Sequence, residues 1–137
     1  MDRLGDRCLD CLPKDVESAP GAEAVRLIDV LWLDRATRRV AAGFEVEHTT
    51  SIYSGIVRLL DLALGAPDEA AKGLFLVAPD DREEEVKEQL VRPAFRHVTK
   101  LNVKYLPYSE LAKHRETIAR FGVGLKGIDA IAKNLLP

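Results

Sequence analysis

The stretch RLIDVLWLDRATRRVAAGFEVE, residues 26–47, decides the fold of this chain. Residues 26–34 are rich in Ile, Val, Leu and Trp, and residues 40–47 continue with Val and Phe, a composition typical of β-strands. Only the polar residues 35–38 separate the two segments. Because so short a connection leaves no room for a crossover, the stretch predicts an antiparallel hairpin.

A turn centred on Thr37 sets the register of this hairpin. In that register every apolar residue on one face of the first strand lies opposite an apolar residue of the second. The expected pairs are Ile28 with Val46, Val30 with Phe44, and Trp32 with Ala42. A shift by one residue would destroy the match, so we expect this register and a buried face built from these residues.

The opposite face of the hairpin collects acidic residues. The same register places Asp29 opposite Glu45, and because side chains alternate along a strand, Glu47 shares their face. Directly opposed residues have Cβ atoms about 5 Å apart, where like charges destabilise a sheet. The face also carries three leucines, which argue against a simply solvated edge: Leu27, Leu31 and Leu33. A divalent cation such as Mg²⁺, which takes carboxylate oxygens as ligands, would relieve this repulsion.

Helices and strands alternate after the hairpin. Helical periodicity or capping residues mark residues 51–64, 82–91 and a segment from Ser109, while short apolar runs predict strands at residues 73–78 and 102–107. A hairpin followed by this alternation predicts an α/β fold with a mixed central sheet flanked by helices.

The chain is long enough for one domain with its own core. We expect a single domain over residues 1–137, with a poorly defined lead-in over 1–24 and a C-terminal tail over 121–137. Within the lead-in, residues 13–24 predict a short helix that is interrupted near Pro20 and Gly21.

Composition excludes several classes of protein. Hydrophobic residues make up 47% and charged residues 31% of the 137, an ordinary globular mixture. No apolar run approaches the roughly 18 residues of a membrane span, and the charged N-terminus does not read as a signal peptide. With only two cysteines, the expected compartment is the cytoplasm.

Charge is distributed unevenly along the chain. From position 92 onward there are nine Lys and Arg against three Asp and Glu, whereas the earlier residues carry eleven against nineteen. An acidic front half and a basic back half suit an enzyme that holds a metal with carboxylates and contacts phosphates with basic residues. A solvated surface with chance asymmetry explains the same counts.

Cys8 and Cys11 form a lone CxxC motif. Half of a zinc site and a redox pair are both open, although no second CxxC or His pair stands at the spacing of a zinc finger.

The order of these motifs resembles the PD-(D/E)xK nuclease superfamily, which has the restriction-endonuclease-like fold. The resemblance is carried by Asp29, by Glu45-Val46-Glu47 at the end of the next strand, and by the helix and buried strand that follow. The segments LIDVLWLD and AAGFEVEHTTSIYSGIVRLLDL also resemble uncharacterised bacterial domains found near the C-termini of longer chains. The likeness covers roughly residues 25–109.

The resemblance implies a nuclease that uses Mg²⁺ or Mn²⁺ to hydrolyse phosphodiester bonds, with DNA as the expected substrate. It makes Asp29 and Glu45 metal ligands and the Val46 carbonyl a third ligand. Glu47 stands where the superfamily usually has Lys, so its expected role is to orient or activate water, or to bind a second metal ion. A helper acid from the first helix would be Glu17 or Glu23.

Residues after the motif are further candidates. His48 is expected to contact the phosphate or the attacking water, or else is only a strand-end residue. Thr49 and Thr50 are expected to contact phosphate near the N-terminus of the next helix. The alternative is a structural role, with Thr50 or Ser51 as the N-cap of that helix. Tyr53 and Arg58 lie on the following helix and are candidates for nucleic-acid binding, with a buried ion pair as the alternative for Arg58.

Two other functions stay open at this point. One is a catalytically degenerate nuclease-fold domain that binds nucleic acid or a protein partner. The other is a hydrolase with Glu45 and Glu47 as an acid/base pair, although neighbouring acids on one strand face suit the flanking of a glycosidic bond poorly. A homodimer and upstream domains of a longer chain are the expected protein partners, and no membrane association is expected.

Overall fold

The predicted hairpin forms the first half of a four-stranded mixed sheet. The structure is a computed structural model and describes residues 9, 11–18, 20–65, 73–96, 102–121 and 125–135. Its helices and strands follow in chain order: α1 Lys14–Glu17, α2 Ala22–Val25, β1 Val30–Leu33, β2 Val40–Val46, α3 Ile52–Gly65, β3 Leu74–Ala78, α4 Glu83–Leu90, α5 Pro93–Arg96, β4 Val103–Pro107, α6 Tyr108–Phe121 and α7 Lys126–Ile131. A 3-10 turn, Asp80–Arg82, leads into α4.

The strands lie in the order β1-β2-β3-β4, with β1 antiparallel to β2 and the other neighbours parallel. Both parallel connections advance across the sheet in the same direction, so right-handed crossovers place α3 and α4 on the same face. The buried side chains of both helices do pack in one cluster there, and α6 and α7 pack on the other face. The predicted α/β fold with a mixed sheet flanked by helices is confirmed.

The hairpin register is also correct within the ladder. Val30 pairs with Phe44 and Trp32 with Ala42, before a shift between Trp32 and Leu33. The expected pairing of residues 28 and 46 is wrong, because β1 begins only at Val30.

The expected buried face of the hairpin is only partly buried. Ala42 and Phe44 on β2 are buried, whereas Val30 and Trp32 on β1 remain 43% and 37% exposed. β1 is the edge strand of the sheet, and the cluster formed with α6 and α7 lies over β2, β3 and β4. Side chains on this face of the sheet are therefore less buried on β1 than on β2. On the acidic face Leu27 is also exposed, while Leu31 and Leu33 are half-buried against the core.

The turn of the hairpin is organised by Asp34. Its carboxylate accepts the amide protons of Ala36 and Thr37, both at 2.9 Å, in the manner of an Asx turn. Arg38 adopts φ +62°, a left-handed conformation that L-residues with a Cβ adopt at a cost. The break predicted at residues 35–38 is thus a tight, side-chain-stabilised turn.

Smaller predictions have mixed outcomes. The interrupted helix of the lead-in is confirmed as α1 and α2, with Gly21 at φ +82° beginning the second. Ser109 was expected to cap a helix, but α6 already begins at Tyr108. The amide of Ser109 instead donates to the Asp80 carboxylate at 3.0 Å, so a neighbouring segment satisfies this helix start.

Among the described residues, no helix combines the length and apolar character needed to cross a membrane.

Candidate metal centre

Three carboxylates meet at the end of the hairpin that lies away from its turn. Asp29 immediately precedes β1, Glu45 lies in β2 and Glu47 directly follows it. One oxygen atom from each carboxylate lies within 4.8 Å of the other two. Glu45 is fully buried and Glu47 is 2% exposed, whereas Asp29 is exposed. The proximity expected from the sequence is therefore confirmed, and neither Glu17 nor Glu23 belongs to this cluster.

Asp29 reaches the cluster by a different route from the one predicted. It does not pair with Glu45 in the ladder, because the ladder starts one residue later. Its Oδ2 instead accepts the Val46 amide proton at 2.7 Å. Since the N–H and C=O of one residue in an extended strand point to the same side, the Val46 carbonyl is directed toward the Asp29 side of β2. The family resemblance implies this carbonyl as a third ligand beside Asp29 and Glu45.

Arg58 of α3 is the cation that accompanies the buried acids. Its Nε donates to Glu45 Oε1 at 3.0 Å and its Nη2 to Glu45 Oε2 at 2.8 Å, the fork geometry of a bidentate ion pair. The same Nη2 contacts Glu47 Oε1 at 3.1 Å. These hydrogen bonds, with Glu45 first, raise the pKa of Arg58. The buried ion pair considered for Arg58 from the sequence is therefore confirmed.

Glu47 has an unusual environment for an acid. Burial raises its pKa to about 7, and the hydrogen bond and negative charge of neighbouring Glu45 add to the rise. Its Oε2 accepts the hydroxyl proton of Thr50. Gly55 of α3 lies so close that an added Cβ would sit 2.7 Å from Glu47 Oε1. The helix can therefore approach this carboxylate only because residue 55 has no side chain.

The donor set fits a hard divalent cation. Three carboxylates together with one guanidinium leave a net negative charge of two when every carboxylate is ionised. Carboxylate and backbone carbonyl oxygens are the ligands that Mg²⁺ and Mn²⁺ prefer. Arg58 balances only part of the charge, so the arrangement has both the chemistry and the residual charge to hold a metal ion.

Of the other predicted site residues, Thr50 contacts the cluster through its hydrogen bond to Glu47, while His48, Thr49 and Tyr53 lie on the loop and helix that follow β2. The His48 ring lies parallel to that of Tyr108, with centroids 5.8 Å apart. Thr49 is exposed on the loop. Tyr53, 41% exposed, has the Arg92 guanidinium 4.7 Å from its ring centroid. The cap of α3 is Ser51, whose hydroxyl accepts the Ser54 amide proton, rather than Thr50.

Arg82 is a contributor that the sequence did not reveal. From the 3-10 turn before α4 it reaches back to the loop that follows β2, where its Nη1 contacts three backbone carbonyls. The only sequence signal is a basic residue next to an acidic helix start, which is common on solvated surfaces.

The CxxC motif is described only in part. Cys11 is an exposed free thiol, and Cys8 lies outside the described residues.

Comparison with known proteins places this chain in a family. The sequence profile of the Type II restriction enzyme NmeDI C-terminal domain matches residues 8–134. The Type II restriction enzyme NmeDI of Neisseria meningitidis serogroup C is 34% identical over 97 residues, which are 70% of this chain and 26% of that relative. The chain thus covers only about a quarter of the length of this relative in the match. No solved structure matches. Because the profile spans nearly the whole chain, this protein belongs to the family of the Type II restriction enzyme NmeDI C-terminal domain.

Proposed function

We propose that this chain is the metal-dependent nuclease domain of a DNA restriction system, of PD-(D/E)xK type with Glu in place of Lys. The observation that carries the proposal is the cluster of Asp29, Glu45 and Glu47, two of them buried and all within 4.8 Å of one another. Kinship with a restriction enzyme supports DNA as the proposed substrate. The resemblance of the strand order and motif to the superfamily supports phosphodiester hydrolysis as the proposed reaction.

Asp29, Glu45 and the Val46 carbonyl are the proposed metal ligands. When bound, Mg²⁺ or Mn²⁺ supplies a Lewis acid that polarises phosphate and lowers the pKa of water. Arg58 orients the Glu45 carboxylate through its bidentate contact. Asp29 is exposed, so it forms the open side of the site.

Glu47 is the proposed proton acceptor. Its pKa of about 7 matches the range in which a carboxylate can accept a proton near neutral pH. Thr50 holds the carboxylate from one side and Arg58 from the other. His48 stays a candidate for contact with phosphate or water at the edge of the site.

The proposed nucleic-acid contacts are Thr49, Thr50, Tyr53 and Arg58. The first three lie in or beside the first turn of α3, where backbone amides favour anions. Arg58 uses Nε and Nη2 on the glutamates, and we assign its remaining nitrogen, Nη1, to a phosphate oxygen. The basic residues after position 92 add affinity that falls with salt and carries little sequence preference.

A degenerate, non-catalytic domain is the second candidate. The bidentate contact of Arg58 already compensates the buried charge of Glu45, and Glu47 replaces the usual Lys. A domain whose buried acid is already neutralised by Arg58 can keep its fold without a metal ion, and it can bind DNA or a protein without cleaving it.

The test combines metal binding with DNA cleavage. Isothermal titration of Mn²⁺ is compared between wild type, Asp29→Asn and Glu84→Gln, an exposed acid on α4 that serves as the charge-matched control. Phage DNA without modified bases, which offers many sequences, is then incubated with each protein and Mg²⁺, or with EDTA.

We expect binding and cleavage by wild type and Glu84→Gln, and neither by Asp29→Asn. Metal binding without cleavage would support the degenerate domain. Cleavage that survives EDTA would contradict the metal mechanism.

Protein partners are part of the proposal. Since the matched stretch is 26% of the relative, we infer that this domain works together with further domains of a longer chain. A homodimer is proposed because a duplex has two strands to cut, and light scattering with and without DNA tests it.

A further inference from the structure

Arg82 bridges two segments that are far apart in sequence. Its Nη1 donates to the carbonyl oxygens of Glu47 at 3.1 Å, His48 at 3.2 Å and Thr50 at 2.9 Å, residues 32 to 35 positions earlier. Its other two nitrogens, Nε and Nη2, contact the two carboxylate oxygens of Glu85 at 2.9 and 2.8 Å. All three nitrogens of the Arg82 guanidinium therefore donate hydrogen bonds, and the Arg82 side chain is only 16% exposed.

The carbonyl contacts are informative because they converge. Three backbone dipoles that point at one place repel one another unless a cation occupies it. The loop of residues 47–50 must turn sharply from β2 into α3, which leaves these carbonyls outside any ladder or helix. Arg82 supplies the missing donor, and Glu85 fixes the plane of the guanidinium from the other side.

We propose that Arg82 is a positioning residue for the acid cluster. The Thr50 hydroxyl donates to the Glu47 carboxylate, and Arg82 binds the backbone carbonyls of both residues. Donor and acceptor of that hydrogen bond are therefore held by one side chain. Arg82 touches neither substrate nor metal; it acts through the loop. The inference rests on the proposed function for the metal site that the loop serves.

Two variants test this role with a matched control. Arg82→Gln removes the positive charge and the bidentate contact with Glu85. Arg82→Lys keeps the charge and can donate to the carbonyls, but its single nitrogen cannot form the bidentate contact with Glu85. Lys87→Gln makes the same charge change at an exposed position of α4. Circular dichroism establishes the temperature range in which every variant is folded, and Mn²⁺ affinity is measured by titration within that range.

We expect Mn²⁺ to bind at least tenfold more weakly to Arg82→Gln than to wild type, with Arg82→Lys between them and Lys87→Gln unchanged. A lower melting temperature with unchanged Mn²⁺ affinity would show that Arg82 only stabilises the fold, and would overturn the inference.

Amide hydrogen exchange separates this inference from the proposed function. We expect Arg82→Gln to lose protection at residues 49–51 while β3 keeps it. If wild type binds no Mn²⁺, the metal site itself is contradicted, and so is a role for Arg82 in serving it. If wild type binds Mn²⁺ and the loop amides of Arg82→Gln exchange as in wild type, the inference about Arg82 alone fails.

Discussion

Arg58 and Glu45 form a two-pronged ion pair between α3 and β2, with N–O distances of 3.0 and 2.8 Å. Glu45 is fully buried, and a buried carboxylate without a partner is strongly unfavourable. The pair therefore explains how the sheet tolerates an acid in its interior. It also ties the helix to the strand at the point where the candidate metal ligands meet.

Loss of this cation is expected to destabilise the fold. Arg58→Met should lower the free energy of unfolding by about 3 kcal/mol, because it leaves Glu45 charged and unpaired in the core. Arg115→Met, an exposed position on α6, is the matched control and should change little. Urea denaturation measures both. Equal urea midpoints for Arg58→Met and wild type would contradict the importance of the pair.

The pH dependence of stability should carry the signature of Glu47. Its pKa is about 7 in the folded protein against an ordinary value of 4.5, so the folded state binds more protons between these values. This contribution to the free energy of unfolding is complete below about pH 4.5 and is lost as the pH rises through about 7.

Glu47→Gln provides the check, since its amide cannot ionise. In metal-free buffer the difference in unfolding free energy between variant and wild type should grow in favour of the variant from pH 5 to pH 7.5. A pH-independent difference would show that Glu47 titrates normally.

Gly55→Ala tests the close approach of α3 to the acids. Alanine in a helix is ordinarily favoured over glycine by about 1 kcal/mol. Here the new Cβ would meet Glu47 Oε1 at 2.7 Å and the Leu76 Cδ1 atom at 3.1 Å. We expect net destabilisation of about 1 kcal/mol and weaker Mn²⁺ binding. Ser54→Ala, one residue earlier, is the control, and a stabilised Gly55→Ala variant would refute the contact.

Bound metal should stabilise the protein. At a metal concentration 100 times the dissociation constant, the gain is about 2.7 kcal/mol, and it appears as a rise of several degrees in Tm. Asp29→Asn should remove the rise, and addition of EDTA should reverse it in wild type. Differential scanning calorimetry measures the effect. A rise of equal size in Asp29→Asn would place the metal elsewhere.

The sequence predicted the proximity of the three acids correctly, but it predicted the start of β1 incorrectly. Apolar pairing along the hairpin predicted the register. That register predicted the proximity of Asp29 and Glu45, which the structure shows without the expected ladder pairing. The sequence pattern could not show that β1 starts at Val30. Asp29 lies outside the ladder and accepts the Val46 amide proton with its side chain. A local contact of that kind leaves no periodic signal.

The contacts of Arg82 could not be predicted from the sequence, for a different reason. Its carbonyl partners lie more than 30 residues away, and backbone carbonyls are the same whatever the residue. Likewise, the exposure of Val30 and Trp32 follows from which strands the second layer of helices covers, which depends on the path of the whole chain.

The turn of the hairpin lies at the opposite end from the acids. The seven residues of β2, a span of about 23 Å, run from the turn to the end where the acids lie. A biotin or a bead linker attached at Arg35, which is exposed on that turn, would therefore immobilise the protein with its candidate metal centre facing away from the solid support. The hairpin turn thus offers an attachment point that leaves the candidate metal centre accessible to molecules in solution.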